Sequence, residues 1–170
     1  TTAEMLADPA LDAVVVMTPT KMHGEVVIAA AAAKKAIFCE KPLSLEVSEG
    51  EAMKAAVAKH GVFFQLGFMR RFDKAYAAAK KRIDAGEIGT PVVFKSSSKD
   101  QLPPPVEYLR PANSGGLFID MGIHDFDLAR WYMGEAKSAF SVGNNVAFPA
   151  IATVGDVESG LTVLNFASGA

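Results

Sequence analysis

Asp120 and His124 are the two residues of this chain best suited to proton chemistry. They lie four residues apart in a segment predicted to be helical, just after Gly115-Gly116. A spacing of four places two side chains on one helix face, where a carboxylate can orient an imidazole and stabilise its charged form. A general base needs that pairing, and proton transfer by a well-placed histidine accelerates a reaction roughly 100- to 10,000-fold. An ion pair on the helix surface is the alternative.

A metal site built on the same two residues is a further alternative. The chain holds three histidines and one cysteine, and no other ligand stands at a spacing typical of a zinc site. We therefore expect no bound metal.

The first loop with possible chemistry follows an apolar, β-branched run at residues 13–17. It contains Thr18, Pro19 and Thr20, and His23 comes three residues later. Ligands of open α/β sheets bind outside the carboxyl ends of the strands, so this loop is placed where a cofactor would lie. The alternative is an ordinary turn in which Thr20 caps the next helix.

The second such loop contains Glu40, Lys41 and Pro42, directly after a predicted strand at residues 36–39. Pro42 restricts the backbone of Lys41 to extended geometry and so stiffens the approach of its side chain. An ammonium group placed there can orient a substrate hydroxyl. The alternative is a solvated loop.

The elements that must position these residues alternate between strands and helices in the first part of the chain. The patterns predict strands at 13–17, 36–39 and 62–66, and helices at 22–35 and from 46 or 47 to 60. The run at 13–17 is typical of a strand buried on both faces. This order predicts an α/β fold, a doubly wound parallel sheet that forms the C-terminal half of a Rossmann domain at residues 1–67.

The pattern changes after Gly67, and residues 68–170 are predicted to form a second domain. Its expected strands are 92–98, 139–146 and 157–166, and its expected helices are 72–85 and 120–133. Long irregular segments separate them. This predicts an α+β domain with a mostly antiparallel open sheet and helices on one face.

The composition of the chain indicates which kinds of molecule it binds. The 170 residues carry a formal charge of -2 and half of them are hydrophobic, which argues against disorder and against a nucleic-acid partner. The longest apolar runs are far shorter than the roughly 20 residues that span a bilayer. The single Cys39 cannot form an internal disulfide, and no targeting signal begins the chain, so we expect a cytoplasmic protein with a small-molecule partner.

Four segments together resemble the glucose-fructose oxidoreductase and inositol dehydrogenase family. They read "TPTKMHGEV", "AIFCEKPLSLEV", "QLGFMRRFD" and "SGGLFIDMGIHDFDLARWYMG". The resemblance extends from residue 12 to residue 170, and the order and spacing of the segments make it specific. With "PPPVEYLR" added, the chain is most similar to the bacterial inositol 2-dehydrogenases within that family.

This resemblance implies an oxidoreductase that passes a hydride from a ring carbon of a cyclic polyol to NAD, with myo-inositol giving the 2-keto inosose. It implies that Lys41, Asp120 and His124 are catalytic. It also implies a substrate-binding and oligomer-forming second domain, in a homodimer or homotetramer. The remaining implied roles are cofactor contacts by Thr18, Pro19, Thr20, His23, Glu40, Lys41 and Pro42, and substrate contacts by Met69, Arg70, Asp120 and His124.

Two departures from the family pattern affect the prediction. The glycine-rich phosphate-binding turn and the acidic residue that would choose between NAD and NADP are absent, so we leave NADP open beside NAD. The C-terminal strands that complete the family's large sheet are cut short and the first residue is not methionine, so we expect a fragment. The alternatives are a dehydrogenase or reductase of another sugar in the same family, and a non-catalytic binding or regulatory member. Retention of all three implied catalytic residues favours an enzyme.

Overall fold

The computed structural model describes all 170 residues, which divide into two compact units, Thr1–Gly67 and Phe68–Ala170. The first unit is a three-stranded parallel sheet with helices. Its strands are β1 (Ala13–Val16), β2 (Ala36–Glu40) and β3 (Phe64–Gly67), in that order across the sheet. Its helices are α1 (Thr2–Ala7), α2 (His23–Ala32) and α3 (Val47–His60), and a short 3-10 helix, Thr20–Met22, precedes α2. The predicted α/β class is confirmed.

The core of the first unit lies on one face of this sheet. Val14 and Val16 of β1 are buried with Ile37 and Cys39 of β2. The helix residues that complete this core are Val27, Ala30 and Ala31 of α2 and Met53 of α3.

The prediction that residues 13–17 are buried on both faces is wrong, because Val15 is 64% exposed. The strand order β1-β2-β3 explains this result. Right-handed crossovers that advance in one direction place both connecting helices on the same side of the sheet.

The second unit combines four helices with an antiparallel pair of strands. The helices are α4 (Lys74–Asp84), α5 (Pro111–Ser114), α6 (Gly116–Asp120) and α7 (Ile123–Met133), and the strands are β4 (Ala136–Asn144) and β5 (Ser159–Phe166). Two 3-10 helices, Met69–Phe72 and Pro149–Val154, complete the unit. One face of the sheet packs on α7, where Phe166 lies against Ala129 and Met133. The other face exposes Phe140, Val142, Leu161 and Val163.

The predicted strand at residues 92–98 is not formed. A strand needs a neighbour that accepts and donates its ladder of hydrogen bonds, and β5 pairs only with β4. Residues 92–104 and β5 instead line a common cavity of about 1150 Å³.

The prediction of a single helix at residues 120–133 is also wrong, because helical structure is interrupted at Met121 and Gly122, between α6 and α7. The backbone N–H groups of Met121 and Gly122 both donate to the carbonyl oxygen of Leu117, at 3.1 and 3.0 Å. The hydrogen-bond ladder thus changes its spacing there. A Cβ atom at Gly122 would lie 2.8 Å from the Phe118 carbonyl oxygen, so the tight junction requires glycine.

Candidate active site

Two sequence-predicted loops lie at one edge of the parallel sheet. Because β1 and β2 are parallel, the loop after Val16 and the loop after Glu40 leave the sheet at the same, carboxyl edge. Open α/β sheets bind their ligands at this edge. The structure therefore brings the predicted residues of both loops to one side of the first unit.

His23 connects these two loops. Its Nδ1 lies 2.9 Å from the carbonyl oxygen of Pro42, its Nε2 lies 2.9 Å from the carbonyl oxygen of Thr18, and the residue is 1% exposed. Both ring nitrogens are thus used by backbone groups. The side chain fixes the separation of the loops, and the contact of His23 with a cofactor stays a prediction.

The remaining residues of this edge fit a dinucleotide. The hydroxyl oxygen of Thr18 is buried and has no hydrogen-bond partner in the protein, so it is available to a ligand group. Pro19 is exposed beside it. At the end of β3, a Cβ atom on Gly67 would lie 3.0 Å from the Phe38 ring and 3.1 Å from Oε2 of Glu40, so the ends of β2 and β3 pack closely.

Glu40 has a local role in the second loop. Its Oε2 accepts a hydrogen bond from the backbone N–H of Lys41 at 3.2 Å, and the next peptide bond, Lys41–Pro42, is cis. Cys39 lies just before it and is fully buried. Burial, followed by the charge of Glu40, raises the pKa of the Cys39 thiol to about 12, which makes it unreactive.

In the second unit, α6 is fixed at its N-terminus by a buried carboxylate. The backbone N–H of Leu117 donates to both oxygens of Asp156, at 3.1 and 3.0 Å. Gly115 and Gly116 have φ values of +83° and +72°, and a Cβ atom on Gly116 would lie 2.6 Å from Oδ1 of Asp156. The glycine pair therefore permits the close approach that sets the position of Asp120, the last residue of α6.

Tyr108 is a site residue that sequence reasoning missed. Its hydroxyl donates to Oδ1 of Asp120 at 3.1 Å. Burial raises the pKa of the Tyr108 phenol, and the Asp120 charge and hydrogen bond raise it further, so the hydroxyl stays protonated. The only sequence signal was a tyrosine in the segment "PPPVEYLR", and spacing alone does not connect that segment to Asp120.

Arg70 and Asp125 form a partly buried ion pair next to His124, the second residue of α7. The Nη1 atom of Arg70 lies 2.7 Å from Oδ1 of Asp125, and the two side chains are 21% and 17% exposed. Ser96 and Ser98 also donate to this carboxylate. The predicted substrate residue Arg70 thus bonds to the protein, whereas the neighbouring Met69 is 66% exposed.

This network predicts a pH-dependent contribution of Asp125 to stability. Burial alone would raise the pKa of Asp125, but hydrogen bonds from Ser96, Ser98 and Arg70 and the charge of Arg70 outweigh burial and lower it from 3.8. The contribution is therefore full above about pH 5 and is lost as the pH falls through the lowered value. We expect Asp125→Asn to lower the free energy of unfolding by about 2 kcal/mol at neutral pH.

Urea unfolding of the complete gene product between pH 7 and the acid limit measures this effect. The difference in the free energy of unfolding between the wild type and Asp125→Asn should become smaller below pH 3.8. The control is Asp84→Asn in α4, where Asp84 pairs with Lys80 at the surface. It should change the free energy of unfolding by less than about 0.5 kcal/mol. A gap that stays constant with pH would contradict the assignment.

The structure thus forms two groups of predicted site residues, one in each unit. Thr18, His23, Glu40, Lys41 and Pro42 belong to the first, with Pro19 and Thr20 in the same loop. The second contains Met69, Arg70, Asp120 and His124. Joint action by Lys41, Asp120 and His124 stays a prediction. No set of three or more histidine, cysteine or acidic side chains is arranged to hold a metal ion, and none of the helices has the length and apolar character to cross a membrane.

Family models match both parts of the chain. Residues 1–68 match a model described as an oxidoreductase family with an NAD-binding Rossmann fold. Residues 76–170 match the GFO/IDH/MocA C-terminal domain.

Curated relatives and solved structures extend these matches. The scyllo-inositol 2-dehydrogenase (NAD(+)) of Bacillus subtilis is 49% identical over 98% of this chain and 48% of its own length. The myo-inositol 2-dehydrogenase of Thermotoga maritima is 45% identical over 98% of this chain and 50% of its own. A scyllo-inositol dehydrogenase from Lactobacillus casei, solved with NAD(H) and scyllo-inositol, is 35% identical with a TM-score of 0.88, and 99% of this chain covers 51% of that one. The chain therefore spans about half the length of these relatives.

Proposed function

The chain belongs to the GFO/IDH/MocA oxidoreductase family, and on that premise we propose that the complete protein oxidises a ring hydroxyl of an inositol with NAD. The product from myo-inositol would be the 2-keto inosose. One observation carries the proposal: a carboxylate, Asp120, is held at the end of α6 and is followed directly by α7, whose first turn contains His124. This arrangement supplies the base that the reaction needs, because the ring hydroxyl loses a proton when its carbon is oxidised.

His124 takes the proton of the reacting hydroxyl on a ring nitrogen. Asp120 orients the imidazole and offsets the positive charge that the ring gains. Lys41 donates a hydrogen bond to the same hydroxyl oxygen and stabilises the negative charge that develops there. NAD, when bound, accepts the hydride from the carbon.

In this proposal, residues at the carboxyl edge of the parallel sheet would hold the cofactor. Its contacts are Thr18, Pro19 and Thr20 from the first loop and Glu40, Lys41 and Pro42 from the second, while His23 holds the two loops together. The buried Thr18 hydroxyl without a protein partner supports a ligand at this edge. NADP is the alternative acceptor.

The proposed substrate contacts and the proposed assembly both involve the second unit. We assign substrate contacts to Met69, Arg70, Asp120 and His124, with Arg70 oriented by Asp125. The exposed apolar face of β4 and β5 supports a homo-oligomer, a dimer or a tetramer.

A cytoplasmic location is proposed because the single cysteine is buried and free.

Steady-state NADH formation by the complete gene product tests the function. The substrates are myo-inositol, scyllo-inositol, glucose and xylose, each with NAD and with NADP. Turnover selective for an inositol with NAD is the expected result. Selective turnover of glucose or xylose would assign the protein to another sugar, and absence of turnover with all four would reject polyol oxidation.

Loss of Lys41 should weaken turnover without destroying the fold. A hydrogen bond to a developing charge contributes about 1.5 to 3 kcal/mol, so we expect Lys41→Met to lower kcat roughly 10- to 100-fold. Lys59→Met in α3 is the control, because Lys59 lies at an exposed position of the same unit. Equal kcat values for the two variants would remove Lys41 from the mechanism.

A further inference from the structure

We propose that Tyr108 is a positioning residue of the inositol-oxidising site, whose hydroxyl holds the Asp120 carboxylate in its working orientation. This role rests on the proposed function and deepens it. The contact that carries it is the 3.1 Å hydrogen bond from the Tyr108 hydroxyl to Oδ1 of Asp120. It joins two residues that are twelve positions apart in the chain.

The turn that carries Tyr108 is held rigidly from both sides. The backbone N–H of Tyr108 donates to the carbonyl oxygen of Pro105 at 2.9 Å. The next residue, Leu109, is buried in a small core with Ile151 and Val154. The phenol is therefore presented by a fixed turn.

Side chains at the surface brace the same turn. The Arg110 guanidinium donates to both oxygens of Glu107, at 2.6 and 2.9 Å. The side-chain amide of Asn113 donates to the Glu107 carbonyl oxygen at 2.8 Å. These bonds connect the turn that carries Tyr108 to α5.

The chemistry of the pair suits a fixed donor and a fixed acceptor. The raised pKa of Tyr108 keeps its proton in place around neutrality. A donor of this kind favours the charged form of a carboxylate and restricts the directions of its remaining lone pairs. Asp120 is then oriented before the imidazole of His124 gains its charge.

Replacement of single oxygen atoms tests this role. Tyr108→Phe removes only the hydroxyl, and Tyr132→Phe is the matched control, because the Tyr132 hydroxyl donates to the Tyr76 carbonyl oxygen at 2.9 Å in the same unit. We expect Tyr108→Phe to lower kcat/KM for the inositol about 10-fold, mainly through kcat. Tyr132→Phe should stay within about twofold of the wild type.

The pH profile separates positioning from simple loss of stability. Without the donor, the Asp120 carboxylate is less well aligned with His124 and stabilises the charged imidazole less, so the acidic limb of the kcat/KM profile of Tyr108→Phe should move to lower pH. The Kd for NAD should not change. If Tyr108→Phe and Tyr132→Phe share the same kcat/KM and the same acidic limb, the positioning role is overturned.

A spectroscopic measurement tests the contact without turnover. The phenolate absorbance of Tyr108 is obtained as the difference between titrations of wild type and Tyr108→Phe. Asp120→Asn should move this titration to lower pH, because the charge that raises the pKa of Tyr108 is gone. An unmoved titration would overturn the hydrogen bond itself. A wild type that oxidises no polyol would instead reject the proposed function, and with it the positioning role, even where the titration moves as expected.

Discussion

Replacement of His124 by alanine is expected to lower kcat of the complete enzyme roughly 100- to 10,000-fold, the range that a placed acid-base histidine contributes. The reacting hydroxyl must lose its proton as its carbon loses the hydride. In the proposed mechanism, the imidazole is the group that accepts that proton. KM should change much less than kcat, because the lost interaction develops in the transition state.

His60→Ala is the matched control for this experiment. His60 is the last residue of α3 in the first unit, and no role in the reaction is assigned to it. Its replacement should leave kcat within about twofold of the wild type. Initial rates of NADH formation under saturating myo-inositol and NAD measure both variants. If His124→Ala retained most of the wild-type kcat, another residue would have to be the base.

The second large effect is expected on stability, from His23→Ala. This change removes a fully buried ring and leaves the carbonyl oxygens of Thr18 and Pro42 without their present partner. An unsatisfied buried polar group costs about 1 to 3 kcal/mol, and the cavity left by the ring adds to it. We expect a loss of about 3 to 5 kcal/mol in the free energy of unfolding, with weaker binding of NAD.

Urea unfolding and NAD titration of the complete protein test this prediction. His60→Ala again provides the comparison, because it makes the same substitution at a partly exposed helix end. His60→Ala should lower the free energy of unfolding by less than about 1 kcal/mol. If His23→Ala were as stable as His60→Ala, the ring would not hold the two loops.

Most elements of the first unit could be predicted from the sequence, because their signals are local. Short β-branched runs between turn residues indicated the strands. Gly61 indicated the end of α3, and its φ of +63° confirms the left-handed C-cap. The exposure of Val15 could not be predicted in this way, because it depends on which side of the sheet the helices cover.

The second unit was predicted less well, because its signals are less local. Residues 92–98 have a strand composition, yet strand formation depends on a neighbour elsewhere in the chain. The helix break at Met121 and Gly122 depends on the close approach of Gly122 to the turn before it. Asp120 and His124 therefore do not share one continuous helix, although their spacing of four residues predicts that they do.

Local sequence patterns were enough to identify the residue types of the site and to place Thr18 and Lys41 after strands of a parallel sheet, because both depend on nearby residues. What those side chains contact depends on the tertiary structure. Both ring nitrogens of His23 contact backbone carbonyl oxygens, and Arg70 pairs with Asp125. The Tyr108 hydroxyl donates to Asp120. The physical reason is that hydrogen bonds and ion pairs depend on distances of about 3 Å between atoms. Segments far apart in the chain reach such distances only when packing has fixed their positions.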